Sequence, residues 1–336
     1  MKILKGLTAV AAVAGALAAM PASAQLYKDK TIRFYIGAGA GGGYDLYSRT
    51  LAQYLAKYIP GKPSILVTNM PGSGGVKASN YVYNAAAKDG STLLMPFWTH
   101  PLFQLIRPRG IKFDMSKFHW IGNMAELNST ITVFSSVAKS WEDATKKEIV
   151  IAASGKGSET YIYPTLMNSL MGTKFKIVLG YRGTRNMVLA MEKGEAEGRG
   201  GSFQSWNLQR PEWIKSGKIR VLVQAGLQRI DPIKYAPLIH ELVKPEDVAV
   251  AKLISAPVTM ARIVGFPPGA SKAQVASLRT AFDKVMKDPV FLADAKKRKM
   301  DLAPLSGKQV QDNIDELMKT PKPILKRASK VLGYTK

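Results

Sequence analysis

Cysteine is missing from the 336-residue chain, and histidine occurs only three times. Without cysteine the protein has no disulfide, no thiolate nucleophile and no soft ligand for a metal ion. The histidines, His100, His119 and His240, lie far apart in the sequence and do not have the spacing of a metal site. We therefore expect no metal site.

Long apolar runs are also scarce, and the one at the start of the chain is short. Residues 6–20 are uncharged and Ala-rich, Lys2 and Lys5 precede them, and Ala22-Ser23-Ala24 has the small-x-small pattern of a signal-peptidase site. A membrane-spanning helix needs about 20 apolar residues. The pattern therefore predicts a signal peptide over residues 1–24, a mature chain starting at Gln25 and a periplasmic location, rather than a membrane anchor.

Acidic residues are half as numerous as basic ones, which gives the chain a net charge of +24. Such an excess is compatible with nucleic acid, an anionic membrane surface, an anionic ligand, or solubility alone. Secretion and the even spread of basic residues disfavour nucleic acid. The one dense basic run, residues 296–299, is typical of a solvated helix face. An anionic ligand and a general effect of charge both stay open.

Strand and helix patterns alternate along the chain, which predicts an α/β fold with parallel sheets. A strand over 31–36, a glycine-rich loop and a helix come first, and a similar unit starts at the strand over 148–153. The C-terminal third is largely helical, with a helix cap predicted at Ser271 and a capping box at Ser306 and Gln309. With no long linker, we expect two closely packed units with a small-molecule cleft between them.

The glycine-rich loop at 37–43 is the most informative motif, because it joins a strand to a helix. Glycines let the backbone approach a ligand, and a helix N-terminus offers unpaired N–H groups to a carboxylate or phosphate. The alternative is a tight turn with Asp45 as an ordinary N-cap. For Asp45 both roles stay open. The candidate ligand contacts here are Ala40, Gly41, Gly42, Gly43, Tyr44 and Asp45.

The same loop formally matches the Gly-x-Gly-x-x-Gly dinucleotide fingerprint. That fingerprint also needs an acidic residue about 20 positions later, and none occurs between Asp45 and Asp89. The phosphate-binding Gly-Lys-Ser/Thr pattern is absent as well. We therefore expect no cofactor.

Further small-residue loops and polar residues follow other predicted strands, and each has a plain structural alternative. The loops at 69–75 and 154–160 are each also compatible with simple turns, Arg182 with a surface arginine and Trp98 with a core residue. Taken together, they favour an anion site built largely from backbone donors. The candidate contacts are Ser73, Gly74, Trp98, Thr99, Ser154, Gly157, Ser158, Tyr181, Arg182 and Ser202.

The sequence contains little that indicates catalysis. No serine lies in a Gly-x-Ser-x-Gly elbow, and His100 has no evident nucleophile partner. Two acids that meet in space are still possible. The alternative to a binding protein is therefore a secreted hydrolase or isomerase that acts on an anionic substrate.

Several motifs in the same order resemble one family over nearly all of the mature chain. They resemble the periplasmic receptors of tripartite tricarboxylate transporters, the Bug family. The motifs are Gly41-Gly-Gly-Tyr-Asp-Leu-Tyr-Ser-Arg49, Pro60-Gly-Lys-Pro63, Asn69-Met-Pro-Gly-Ser-Gly-Gly75, Asn80-Tyr-Val-Tyr-Asn84, Lys88-Asp-Gly90, Gly180-Tyr181, Gly194-Glu-Ala-Glu-Gly198, Pro267-Pro-Gly269, Asp288-Pro289 and Leu305-Ser-Gly307.

The resemblance implies a two-lobed periplasmic-binding-protein fold of type II that closes on a carboxylate in the cleft between its domains. It implies a first lobe of residues 25–124 plus 228–336 and a second lobe of residues 125–227. It also implies a monomer, with no catalytic residues, that passes a mono- or dicarboxylate, either aromatic or aliphatic, to the membrane subunits of a transporter. Ala40, Tyr44 and Glu197 depart from residues common in the family and leave the ligand unidentified.

Overall fold

The computed structural model describes residues 26–107 and 109–335, so the predicted signal peptide and Gln25 lie outside the described residues. Two separate β-sheets organise the chain. The first has the strand order β11-β4-β10-β3-β1-β2, in which β1, β2 and β3 run parallel and β10 runs antiparallel to β3 and β4. Its strands are β1 (Thr31–Ile36), β2 (Ser64–Asn69), β3 (Thr92–Met95), β4 (His119–Asn123), β10 (Ile263–Phe266) and β11 (Leu305–Ser306).

The second sheet has the order β7-β6-β8-β5-β9, with β6 parallel to β7 and β8 and with β5 antiparallel to its neighbours. Both sheets thus have three parallel strands flanked by a strand of opposite direction. Helices surround each sheet to form a lobe, which confirms the predicted two-lobed α/β fold. The strands are β5 (Ser129–Phe134), β6 (Ile149–Ala152), β7 (Phe175–Val178), β8 (Gly198–Ser202) and β9 (Ile219–Ala225).

The helices follow the strands in the order that the sequence predicts. Ser271 and Ser306 both form capping boxes, with Gln274 and Gln309, as predicted. The described helices are α1 (Gly43–Tyr58), α2 (Val76–Asn84), α3 (His100–Ile106), α4 (Asp143–Lys146), α5 (Glu159–Met171), α6 (Thr184–Glu192), α7 (Gln204–Gln209), α8 (Pro211–Lys215), α9 (Val248–Ser255), α10 (Lys272–Val285), α11 (Pro289–Lys297), α12 (Gly307–Met318) and α13 (Lys322–Val331).

The chain passes between the two sheets after β4 and again before β10, and the two passages lie side by side. Met124 N–H donates to Arg262 O at 3.1 Å, and Ala261 N–H donates to Ala125 O at 3.0 Å. These paired segments, residues 124–128 and 258–262, are called the hinge below. The lobe boundaries stay a prediction. No helix of the described residues has the length and apolar character needed to cross a bilayer.

Candidate functional site

Four helices begin after the carboxyl ends of strands, and the loops before them meet at the boundary between the lobes, which is called the gap below. Helices α1 and α2 follow β1 and β2 of the first sheet, and α5 and α6 follow β6 and β7 of the second. None of the four has a side-chain hydrogen bond at its N-cap. A helix N-terminus carries unpaired N–H groups and a partial positive charge. The gap is therefore positive and rich in backbone donors.

The first contact across the gap joins the glycine-rich loop to the segment before α6. Gly39 N–H donates to Arg182 O at 2.6 Å. A Cβ on Gly42 would lie 3.7 Å from Thr184 Cβ, so α1 and α6 begin next to each other. Gln209 Nε2 also donates to Gly41 O at 2.7 Å. The two lobes are closed on each other along this rim.

The second contact joins the loop before α2 to the loop before α5. A Cβ on Gly74 would lie only 2.6 Å from Ser158 N, and Thr99 Oγ1 donates to Gly157 O at 2.6 Å. Gly74 also has a φ of +65°, which other residues rarely adopt. Only glycine therefore allows the two loops to approach this closely.

His100 fixes the Gly74 carbonyl from behind. Its Nε2 lies 2.9 Å from Gly74 O and its Nδ1 lies 2.9 Å from Ser79 Oγ. A carbonyl can only accept, so Nε2 carries the proton and Nδ1 accepts from the serine hydroxyl. Burial lowers the pKa of His100 to about 4, which keeps the imidazole neutral. The histidine therefore positions the loop and has no role as an acid or base.

Asp45 organises the glycine-rich loop through three contacts. Its carboxylate accepts from Gly41 N–H at 3.0 Å, from Arg49 Nε at 2.9 Å and from Asn69 Nδ2 at 2.9 Å. Burial alone would raise the pKa of Asp45, but these bonds outweigh it and hold the pKa below its ordinary value. A carboxylate that already has these partners supports the loop and has little capacity left for a ligand.

Arg262 lies at the hinge, and its side chain is buried. Its guanidinium carbon lies 4.2 Å from the ring centroid of Tyr44, 4.9 Å from that of Tyr47 and 5.4 Å from that of Trp98. Its Nη2 lies 2.8 Å from the point that a Cβ on Gly43 would occupy. The guanidinium thus lies over three aromatic rings and directly beside the N-terminus of α1.

The first-turn amides of α1, next to this charge, have no partners inside the helix. The first hydrogen bond of the helix is from Leu46 N–H to Gly42 O at 3.0 Å, which leaves the N–H groups of Gly43, Tyr44 and Asp45 without a bond inside the helix. Two positive features, the helix end and Arg262, are therefore adjacent. In a buried site this arrangement favours an anion between them.

Glu159 and Arg199 complete the buried charges. Burial raises the pKa of Glu159 to about 7, although the positive charges of Arg262 and Arg199 oppose the rise. Arg199 donates from Nη1 to Gly200 O and from Nη2 to Ser205 Oγ, and it stacks on Trp206. Burial lowers its pKa to about 9, which leaves it charged at neutral pH. Glu159 Oε2, Arg199 Nε and Arg262 Nε have no hydrogen-bond partner among the described residues.

The structure places the sequence-predicted contact residues in two groups. Those buried between or just behind the lobes are Gly42, Gly43, Tyr44, Asp45, Gly74, Trp98, Thr99, Gly157, Ser158 and Ser202. Those exposed or half-buried are Ala40, Gly41, Ser73, Ser154, Tyr181 and Arg182. Burial and the nearby Glu195 raise the pKa of Tyr181, which packs on the smaller core of the second lobe. Arg182 offers its carbonyl to Gly39, while its side chain is exposed.

Sequence reasoning missed Arg262, Arg199 and Glu159. Arg199 lies inside a glycine-rich strand, Gly198–Ser202, which is an unusual place for an arginine and was the available signal. Arg262 directly precedes the apolar strand β10 in a segment that has no turn or loop motif. Nothing in its local sequence distinguishes it from a surface arginine.

A cavity of about 740 Å³ lies beside the hinge and away from the helix N-termini. Its walls are mainly apolar, with Leu253, Pro257, Met260 and Leu317 among them. It lacks the convergent donors of the gap between the lobes. Among the described residues no cluster of His, Asp or Glu side chains could hold a metal ion.

Comparisons with known proteins agree with this architecture. The model of the tripartite tricarboxylate transporter family receptor matches residues 48–329. The UPF0065 protein in gbd 5'region of Cupriavidus necator is 28% identical over 337 residues, which cover 96% of this chain and 95% of the relative.

Two solved structures share the fold at lower identity. The periplasmic binding protein BugD is 17% identical, with a TM-score of 0.72 over 92% of this chain and 99% of that chain. MatC from Rhodopseudomonas palustris with bound malate is 18% identical, with a TM-score of 0.69 over 90% of this chain and 99% of that chain. Both likenesses confirm the periplasmic-binding-protein fold.

Proposed function

The chain belongs to the tripartite tricarboxylate transporter receptor family, and we propose that it captures a small carboxylate in the gap between its lobes. The family is one of periplasmic solute-binding receptors, so the protein is a receptor and not an enzyme. The hydrolase or isomerase alternative is thereby rejected.

One observation carries the proposal: the N-terminus of α1 and the Arg262 guanidinium lie side by side in a buried position. Arg262 Nη2 is 2.8 Å from the Cβ position of Gly43, the first residue of that helix. A carboxylate has two oxygens, so one can accept from a helix amide while the other accepts from the guanidinium. Tyr44 and Trp98 form apolar walls beside the carboxylate.

The remaining predicted contacts receive roles that follow from their positions. Thr99 Oγ1 donates to Gly157 O and Ser158 Oγ donates to Gly155 O, so both hydroxyls hold the loop before α5 in place. Ser202 is buried and stays a proposed ligand contact. Asp45 orders the loop. The backbone at Gly39, Gly74, Gly157 and Arg182 forms the closed rim. Because the binding groups are buried in the closed form, the ligand enters when the lobes rotate apart about the hinge.

The malate bound to MatC, a protein of the same fold, supports a carboxylate as the ligand class. Closure removes water from the site and strengthens each bond to the carboxylate. We further propose that the monomeric receptor, in its closed and loaded form, delivers the carboxylate to the membrane subunits of its transporter.

A thermal-shift screen of the mature protein tests the proposal. Malate, succinate, lactate and benzoate are compared with malamide and benzamide, which have the same shapes without the charge. At a concentration about 100 times the dissociation constant, binding adds about 2.7 kcal/mol to the stability. We expect a selective rise in melting temperature with one or more acids and none with the amides. No response to any acid would reject the proposal.

The same screen at higher salt tests whether bulk charge explains the binding. Attraction to a generally basic surface is screened by salt and does not distinguish between acids of equal charge. A buried site keeps its selectivity at moderate ionic strength. Equal responses to all acids that vanish with added salt would favour a non-specific basic surface instead.

A further inference from the structure

Three charged side chains lie buried together behind the glycine loops: Glu159 at the start of α5, Arg199 on β8 and Arg262 at the hinge. Both arginines act electrostatically on Glu159, yet neither is ion-paired or hydrogen-bonded to it in the described part of the chain. One polar atom of each side chain has no partner. Glu159 therefore lies within electrostatic range of both arginines and has no hydrogen bond to either of them among the described residues.

The net charge of these three side chains determines which ligand charge would be neutralised on binding. Two arginines and one ionised glutamate leave one positive charge in a region closed to water. An uncompensated buried charge is costly, so a ligand with one negative charge neutralises the cluster as it stands. A ligand with two negative charges leaves one negative charge in excess unless a group in the cluster takes up a proton.

Glu159 is the one group of the cluster that can accept that proton. The tyrosines beside it, Tyr44 and Tyr163, already carry their protons, because burial raises the pKa of both. Arginine has no acceptor for a further proton. We propose, on the basis of the proposed carboxylate-binding function, that Glu159 sets the ionic form of the bound ligand: a monocarboxylate binds alone, and a dicarboxylate binds together with one proton held on Glu159.

Within residues 26–107 and 109–335, the elements packed against Glu159 offer no other group that would take this role. Helix α5 packs against β5, β7, β8 and α13. Strand β5 has no charged residue, and β8 contributes Arg199. The charged residues of β7 and α13 are exposed: Lys176, Lys322, Lys326, Arg327 and Lys330.

The titration behaviour of Glu159 supports the proposal. Burial already raises its pKa to about 7 without a ligand. A nearby dianion disfavours the ionised form further and raises the pKa again. A protonated Glu159 also becomes a hydrogen-bond donor, so it can donate to a ligand carboxylate from which its ionised form would be repelled.

Isothermal titration in two buffers of different ionisation enthalpy, HEPES and Tris, measures proton uptake directly. At pH 8 we expect about one proton to be taken up for each malate or succinate bound, and none for lactate or benzoate. Between pH 8 and 9 the affinity for the dicarboxylates should fall about tenfold, while that for the monocarboxylates should stay constant. Dicarboxylate binding without proton uptake would overturn the inference.

Glu159→Gln assigns the proton to its site. Gln is neutral at every pH, so the variant should bind the dicarboxylates without proton uptake and with constant affinity from pH 7 to 9. Glu246→Gln, a change at an exposed glutamate, should leave the uptake as in the wild type. Unchanged uptake in Glu159→Gln would overturn the inference. If no carboxylate binds at all, the proposed function fails first and the inference falls with it.

Discussion

Arg262 and Gly43 lie so close that a single methyl group on the glycine would come within 2.8 Å of the arginine Nη2. The arginine comes from the hinge and the glycine is the first residue of α1. Their proximity places a guanidinium beside a positive helix end in a buried region. We interpret this unfavourable pairing of like charges as the feature that prepares the receptor for an anion.

Replacing Arg262 should lower carboxylate affinity without lowering the stability of the ligand-free protein. In Arg262→Met, carboxylate affinity should fall about 10–100-fold, because a charge-assisted bond contributes about 1.5–3 kcal/mol. The stability of the ligand-free protein should be unchanged or higher. The desolvation penalty of a buried charge is several kcal/mol, which exceeds the about 2 kcal/mol of a desolvated cation–π contact. Titration calorimetry and urea unfolding measure the two effects.

Arg220→Met is the matched control for this substitution. Arg220 also stacks on an aromatic ring, at 4.0 Å from the centroid of Tyr235, but it is exposed. We expect no change in carboxylate affinity in this variant. If Arg262→Met binds carboxylates as the wild type does, the assigned role of Arg262 is wrong.

Alanine substitutions at two adjacent glycines test whether the close packing of Arg262 against Gly43 controls carboxylate binding. In Gly43→Ala the new methyl group meets Arg262 and displaces it, so carboxylate affinity should fall about tenfold or more. In Gly42→Ala the new methyl group meets Thr184 at 3.7 Å, an ordinary contact, and affinity should change by less than about threefold. Equal effects of the two substitutions would show that the position of Arg262 does not control binding.

The sequence predicts the fold well because its signals are local. Alternating strand and helix patterns, glycine loops at strand ends and the capping boxes at Ser271 and Ser306 each depend on a few adjacent residues. Loops at the carboxyl ends of parallel strands meet at one edge of a sheet, so the meeting of the 37–43 and 69–75 loops also follows from local patterns. The 154–160 loop follows a strand of the other sheet, and its approach to them depends on how the two lobes pack.

The charged groups of the site could not be predicted in this way. Arg262 reaches the N-terminus of α1 from 219 positions away in the sequence, and its position depends on how the hinge folds back between the lobes. Glu159 has the pattern of an ordinary first-turn helix acid, and only burial distinguishes it. Arg182 shows the opposite case, because its sequence context suggests a ligand contact while its side chain is exposed.

Closure of the lobes should depend on the backbone at the rim. In Gly39→Ala the new methyl group would lie 2.9 Å from Arg182 O, so the variant should close incompletely and bind about tenfold more weakly. Arg182→Ala keeps the carbonyl and should bind as the wild type does. Small-angle scattering with and without a saturating carboxylate reports closure. A large loss of affinity in Arg182→Ala would instead assign its side chain to the ligand.

His100 should make the protein sensitive to mild acid. Burial lowers its pKa from 6.5 to about 4, so from pH 6.5 downwards the unfolded chain binds a proton that the folded protein does not. Its contribution to stability is complete above pH 6.5 and is lost as the pH falls towards 4. Between pH 7 and 5 we expect a loss of about 2 kcal/mol from this residue.

Urea unfolding of the wild type and of His100→Gln at both pH values measures this loss. The variant should unfold with a smaller dependence on pH over this range. His119→Gln, a change at a half-buried histidine, should reduce the dependence less. An identical loss of stability in the wild type and in His100→Gln would contradict the assignment.

A crystal structure of the mature protein with the tightest-binding carboxylate of the thermal-shift screen tests the central claim most directly. The account predicts one carboxylate between the lobes, with oxygens about 2.7–3.2 Å from the first-turn N–H groups of α1 and from the Arg262 guanidinium. A ligand held elsewhere, or one bound in the gap with neither the α1 amides nor Arg262 as partners, would contradict it.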